Sequence, residues 1–313
     1  MTDYSALIDD ETWAFIHRTQ ASYPDDTVSF TIDDQRRVYD AMCVDFRVPY
    51  PPGVGATDRS FAGVACRLYE CGDSVATVIY FHGGGFVVGG LESHDDVCAE
   101  ICAATGCRVV SVDYRLAPEH RHPAAFMDCT AATAAIIGEF GGPVVLAGDS
   151  AGANLAAATV HATRGAGFPI VGQVLIYGAF ADTIGTTGSY ATHANAPLLT
   201  REDMIFYRAI RMPEGRPAAG DPTAAPLADT DFGGLPPTFL IAAECDPLCD
   251  DSPAYAARVT AAGGKARCEI APGMVHGFLR ARHMSGRAAA AFARITDAIA
   301  ALARGAFPWP EDR

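Results

Sequence analysis

"VVLAGDSAGANLAAA", residues 144–158, decides how the rest of the chain is read. Its first half is a continuous apolar run suited to a strand buried on both faces, and its second half is a small-residue apolar helix. Between them stands Gly148-Asp149-Ser150-Ala151-Gly152, a serine centred in G-x-S-x-G at a strand-to-helix junction. That context is the one in which such a serine becomes a nucleophile: a sharp turn lifts the hydroxyl above the sheet, and glycines permit the turn and leave room over it. A glycine-rich turn with a chance serine would read the same over five residues, so the case rests on partners elsewhere.

Outward from this junction the rhythm is strand, loop, helix. "FAGVACRLYE" (61–70) reads as an early strand, "VATVIYF" (75–81) as a buried one, and "CRVVSVDY" (107–114), "IVGQVLIYG" (170–178), "PTFLIAAE" (237–244) and "ARCEIA" (266–271) as four more. Helices are expected from near Ser93, with Asp95 and Asp96 in the first turn, over 124–139, after Ser150, and over 286–304. Buried strands alternating with helices predict an α/β fold with a mostly parallel sheet covered on both faces. The rhythm breaks twice. The first forty or so residues are amphipathic and helical, and 180–232 is rich in Gly, Thr, Pro and Asp, with one helix opened by a capping box at Thr200-Arg201-Glu202-Asp203. Insertions at the carboxyl ends of parallel strands lie where such folds bind ligands. The expectation is therefore one domain, 1–313, with a cap from about 1–45 and 180–232.

Composition bounds the chemistry. The chain has 313 residues, half of them hydrophobic, and a formal net charge of −14. It lacks the basic face that nucleic acid requires, and its field disfavours polyanions, so a neutral or cationic small molecule fits better. The first twenty residues show no basic-then-apolar leader, and no run is long enough to span a membrane, so neither export nor membrane attachment is expected. The ten cysteines read as reduced thiols of a cytoplasmic protein. Cys98 and Cys102, like Cys245 and Cys249, are four apart but have no histidines at zinc spacing, so no metal and no cofactor are expected.

A serine nucleophile needs a base and a carboxylate that orients it. Of nine histidines, His276 in "APGMVHGF" directly follows the last strand, at the sheet's carboxyl edge. His283 competes but falls among Arg280, Arg282 and Arg287. His94, His161 and His193 lack companions in their contexts, and His120 and His122 sit in a charged turn. Asp246 leaves the preceding strand, with Asp250 and Asp251 as alternatives better placed to cap or open the next helix. The order Ser150, Asp246, His276 is one of three known for such triads. Acyl transfer also needs donors for an oxyanion. The loop His82-Gly83-Gly84-Gly85 after an early strand offers its backbone N–H groups, and the Ala151 N–H offers another. A phosphate-binding reading of that loop fails, because Val88 falls where G-x-G-x-x-G needs glycine and no Gly-Lys-Ser/Thr follows.

These motifs together resemble the hormone-sensitive-lipase-like serine esterases of the α/β-hydrolases. The blocks are "FHGGGFVVGGLESHD" (81–95), "VDYRLAPEH" (112–120), "GDSAGANLA" (148–156), "ECDPLCDDS" (244–252) and "MVHGFL" (274–279). "GGLESHD" and "CDPLCDDS" resemble bacterial acetyl esterases in particular. The resemblance implies Ser150, Asp246 and His276 as the triad. It places the oxyanion amides on Gly84, Gly85 and Ala151, with Gly83 shaping the loop, and gives Asp113, Arg115 and Glu119 a bracing role. Ala153 departs from the glycine common in relatives, at a helix start where alanine is favourable.

The implied activity is hydrolysis of short acyl esters, acetyl to butyryl, with Phe86, Trp13 and Phe15 as candidate pocket residues. Lactones, thioesters or amides would use the same machinery, and a non-catalytic binder would share the fold. A small-molecule ester is the expected partner, and an exposed last strand leaves room for a homodimer.

Overall fold

The computed structural model describes residues 2–24, 30–213 and 220–307. Two helices come first, α1 (Asp10–Ala21) and α2 (Ile32–Phe46). The strands and helices that follow are β1 (Gly55–Phe61), β2 (Val64–Glu70), β3 (Thr77–Phe81), α3 (Asp95–Thr105), β4 (Arg108–Val112), α4 (Ala124–Phe140), β5 (Val144–Asp149), α5 (Ala151–Thr163) and β6 (Ile170–Ile176). After these come α6 (Ser189–Thr192), α7 (Arg201–Arg211), β7 (Thr238–Cys245), α8 (Asp251–Ala261), β8 (Ala266–Val275) and α9 (Gly286–Ala303). Among the described residues eight strands form one sheet in the order β1-β2-β4-β3-β5-β6-β7-β8. β2 is antiparallel to both neighbours, and every pairing from β4 to β8 is parallel.

The inner strands are apolar throughout because successive side chains enter two different cores. Val78 and Tyr80 of β3, with Val145 and Ala147 of β5, pack under α3 and α9. Ile79 and Phe81, with Val144 and Leu146, pack under α4, α5 and α8. Helices thus cover both faces, as the unbroken apolar runs require.

Two strand readings are corrected. "FAGVACRLYE" is not one strand: Ala62 and Gly63, both at positive φ, turn β1 back onto β2, with Phe61 facing Val64. β1, "GATDRSF", is exposed along nearly its whole length, so it carries no alternating apolar signal. β8 runs past Ala271 to Val275, although Pro272 and Gly273 look like breakers. Gly273 takes positive φ and donates its N–H to Glu244 Oε2 at 2.6 Å, so an irregularity in the β7–β8 ladder absorbs the pair. The extension carries the chain to His276.

The capping box is present: Asp203 N–H donates to Thr200 Oγ1 at 3.1 Å, and Thr200 N–H donates back to Asp203 Oδ2 at 2.8 Å. α1, α2 and the segment around α6 and α7 all contribute side chains to two cavities at the carboxyl ends of the strands. Residues 25–29 and 214–219 of the expected cap segments lie outside the described residues. Among the described residues no helix is long and apolar enough to cross a membrane, and no cluster of His, Cys, Asp or Glu could hold a metal ion.

Candidate active site

Ser150 lies between the last residue of β5 and the first of α5, with φ 54° and ψ −116°. A non-glycine residue in that region is strained, and the surroundings hold it there: Ser150 N–H donates to Ile176 O at 2.8 Å across the sheet. The flanking glycines do a different job from the one expected. Neither Gly148 nor Gly152 has positive φ. A Cβ on Gly148 would lie 2.6 Å from Phe81 O, and one on Gly152 would lie 1.8 Å from it. The glycines let the start of α5 close onto the end of β3, and the strain is carried by the serine itself.

His276 follows β8 directly and turns its ring over the serine. Its Nε2 is 2.8 Å from Ser150 Oγ, and its Nδ1 is 2.7 Å from Asp246 Oδ2. Asp246 is fully buried, and its other oxygen accepts the Leu248 N–H at 2.9 Å. The carboxylate therefore fixes the tautomer with the proton on Nδ1, leaving Nε2 free to accept from the serine hydroxyl.

Asp250 stands at the N-cap position of α8 and Asp251 opens it, as expected, though neither side chain caps the helix and neither joins the triad. Asp250 Oδ2 accepts Ser189 N–H at 2.7 Å, while Asp251 Oδ2 accepts the N–H groups of Phe180 and Ala181 at 2.7 and 2.9 Å. Both tie the segment after β6 to the body. His283 pairs with Glu100 at 2.9 Å on the surface.

Facing the serine is the loop 82–86. Gly84 and Gly85 have positive φ, and among the described residues neither N–H meets an acceptor. A Cβ on Gly84 would strike Val88 O at 2.1 Å. Ala151, first in its helix, has no helical carbonyl for its N–H. Gly83 must be set apart from these three: its N–H donates to Asp149 Oδ1 at 2.9 Å, so it shapes the loop and offers nothing to an oxyanion.

Asp149 is the residue that sequence reasoning missed. Tyr80 OH donates to it at 2.8 Å and Tyr177 OH at 3.3 Å, and His94 Nε2 lies 3.2 Å from its Oδ1. Burial opposes its charge, but His94, its hydrogen bond, that of Tyr80 and the charge of Arg280 outweigh burial and hold the carboxyl well below its usual range. His94, expected without companions, is thus paired with Asp149. His161 likewise meets Asp229 at 2.6 Å, and His193 meets Tyr4 OH at 3.2 Å. These partners are far apart in the chain, so no local context could show them. Of the bracing residues, Arg115 pairs with Asp128 and Glu119 with Arg36, both at 2.7 Å. Asp113 forms no ion pair among the described residues, and its backbone N–H donates to Ala65 O.

A family model described as alpha/beta hydrolase fold matches residues 78–280. The chain belongs to that family. It is 38% identical over 239 residues to "Carboxylesterase NlhH" of Mycobacterium tuberculosis, covering 71% of this chain and 74% of the relative. It is 31% identical over 245 residues to "Acetyl esterase" of Salmonella typhi, covering 73% of each. A solved esterase from the bacterial hormone-sensitive lipase family superposes with a TM-score of 0.84 at 28% identity, covering 96% of this chain and 99% of that one. The resemblance to hormone-sensitive-lipase-like esterases holds.

Two cavities meet at Ser150 of this hydrolase. The smaller, about 100 Å³, is lined by Ala151, Asn154 and Phe86 with side chains from α7. The larger, about 360 Å³, is lined by His276, Gly84 and Phe15, with Tyr23 and Tyr39 from the N-terminal region. Phe86 and Phe15 thus stand where pocket residues were expected. Trp13 does not: it stacks on His17 at 5.6 Å and packs against the core.

Proposed function

We propose that this serine carboxylesterase hydrolyses short-chain acyl esters, acetyl to butyryl, through Ser150, His276 and Asp246 and a covalent acyl-enzyme. His276 takes the Ser150 proton as Oγ bonds to the ester carbonyl carbon, and the carbonyl oxygen becomes an oxyanion facing the N–H groups of Gly84, Gly85 and Ala151. The C–O bond to the alcohol then breaks, and His276 returns the proton to the leaving alkoxide. Water, deprotonated by the same imidazole, attacks the acyl-enzyme and releases the carboxylic acid and the free serine. Asp246 holds the ring and offsets its positive charge in both halves.

The single observation that carries the chain-length reading is the inequality of the two cavities. His276 must reach the leaving oxygen, and it lines the larger one. The alcohol therefore departs on that side, and the acyl group enters the smaller cavity beside Ala151. A cavity of about 100 Å³ on the acyl side, against about 360 Å³ on the alcohol side, favours short acyl groups. The ten cysteines are all free thiols, which supports the cytoplasm as the compartment. β8 ends the sheet, which supports pairing of two copies along that edge.

Hydrolysis of p-nitrophenyl esters from acetate to decanoate by the wild type and Ser150→Ala tests the reading. A peak at acetate to butyrate, with the variant at background, is expected. A wild type that prefers octanoate or longer would overturn the cavity assignment, and one that cleaves none of them would overturn the ester chemistry.

A further inference from the structure

The small cavity is mostly apolar, but α7 brings Arg208 and Arg211 into its wall and α5 brings Asn154. Arg211 is half-buried and flat against Phe86, its Cζ 3.5 Å from the ring centroid. Its Nη1 donates to Ala224 O at 3.0 Å and its Nη2 to Asn154 Oδ1 at 3.2 Å. A guanidinium has five N–H donors, and among the described residues the other three meet no acceptor. Neither arginine forms an ion pair there. Burial pushes Arg211 down to about 9, and burial lowers Arg208 as well. Asp221, whose charge reaches Arg211, is taken up by His122 at 3.0 Å and by Thr223.

Leaving a cation so placed is costly unless something pairs with it, and a guanidinium fork matches a carboxylate. We propose that Arg211 recognises a carboxylate at the end of the acyl group, so that the preferred substrates are hemi-esters of short dicarboxylic acids. This rests on the ester-hydrolase reading above.

The geometry sets the length. Asn154 lies one helical turn beyond Ser150, its N–H donating to Ser150 O at 3.2 Å, and Arg211 is held by Asn154's side-chain oxygen. One turn rises about 5.4 Å, a span suited to a two- or three-methylene spacer between the reacting carbonyl and the carboxylate, roughly at succinate or glutarate. The Asn154 amide nitrogen is committed to Ala179 O and Ala224 O, so its oxygen faces the arginine by constraint. The net charge of −14 repels anions at a distance. At short range, where screening is weak, the charged side chains in the cavity wall are Arg208 and Arg211.

The test compares monoethyl succinate with ethyl 4-methylpentanoate, which has the same shape without the charge, by pH-stat titration at pH 7. The wild type is expected to favour the hemi-ester in kcat/KM by about tenfold or more, the worth of one charge-assisted pair. In Arg211→Gln the ratio should fall to unity or below, and in Arg211→Lys it should be partly retained. A wild type that prefers the neutral ester overturns the proposal, as does an Arg211→Gln enzyme that keeps the wild-type ratio. Thermal shift of Ser150→Ala protein with the same two compounds reads the site without catalysis or a change at Arg211. Stabilisation by the hemi-ester alone is expected, and equal or no stabilisation by the two overturns the proposal. Failure of hydrolysis with retained selective binding would instead sink the ester-hydrolase reading.

Discussion

The carbonyl oxygen of Phe81 lies 1.8 Å from the point a Cβ on Gly152 would occupy. Backbone on both sides of this contact is fixed, β3 by its parallel ladders to β4 and β5 and α5 by its burial. A methyl group there cannot be relieved by a rotamer change. Gly152→Ala is expected to cost about 3 kcal/mol or more and to displace Ser150 from the reach of His276. Urea unfolding and ester hydrolysis check it. A variant with wild-type midpoint and rate would show that α5 can move away without consequence.

The oxyanion loop hangs on Asp149. Its Oδ1 holds the Gly83 N–H, and its carboxylate bridges Tyr80, Tyr177 and His94 beneath the serine. Asp149→Ala removes that anchor while leaving the triad side chains untouched. Misplacing loop donors worth roughly 3–4 kcal/mol apiece predicts a fall in kcat of about 10²–10³-fold with KM changed little. Steady-state kinetics decide it, and a loss confined to KM would assign the residue to binding.

What could be read from the chain divides along physical lines. Ser150, Asp246 and His276 stood out because each directly follows a strand, and a parallel sheet brings all such ends to one edge. β1 was hidden because an exposed edge strand has no apolar face, and the end of β8 because Pro272 and Gly273 sit in an irregularity that only the neighbouring strand explains. Asp149 lay inside the serine motif and still escaped notice, since its four partners come from β3, the loop after it, the turn before α3, and the residue following β6. Arg211 escaped for the opposite reason: what marks it is a missing partner, and sequence shows no absences of that kind.

Asp246 and His276 act as one unit with the serine. In Asp246→Asn the side-chain nitrogen can face His276 Nδ1 and favour the tautomer whose proton sits on Nε2, where the base is needed. A drop in kcat of about 10⁴-fold is expected, with folding intact because the Leu248 N–H still finds an oxygen. Pre-steady-state acylation should slow by the same factor. A loss of tenfold or less would mean that another group orients the ring.

The last prediction concerns Asp251, fully enclosed beneath the segment that walls the small cavity. Burial pushes its carboxyl up to about 6 from the ordinary 3.8, against three hydrogen bonds from Phe180, Ala181 and Tyr190, with the charge of Asp246 adding to the rise. Between those two values the native state holds a proton that the unfolded chain has released, so stability falls as pH rises through the window and is level above it. The contribution lost between pH 4.5 and 7 is about 2 kcal/mol, from about 1.4 kcal/mol for each pKa unit. Asp251→Asn has no such proton to lose, and its amide can keep both backbone N–H groups on oxygen while donating to Tyr190. The difference in unfolding free energy between wild type and Asp251→Asn, measured in urea at pH 4.5 and 7, should therefore shift by about 2 kcal/mol in the variant's favour at the higher pH. If the difference is the same at both, Asp251 is charged throughout and the segment is held by an ion rather than an acid.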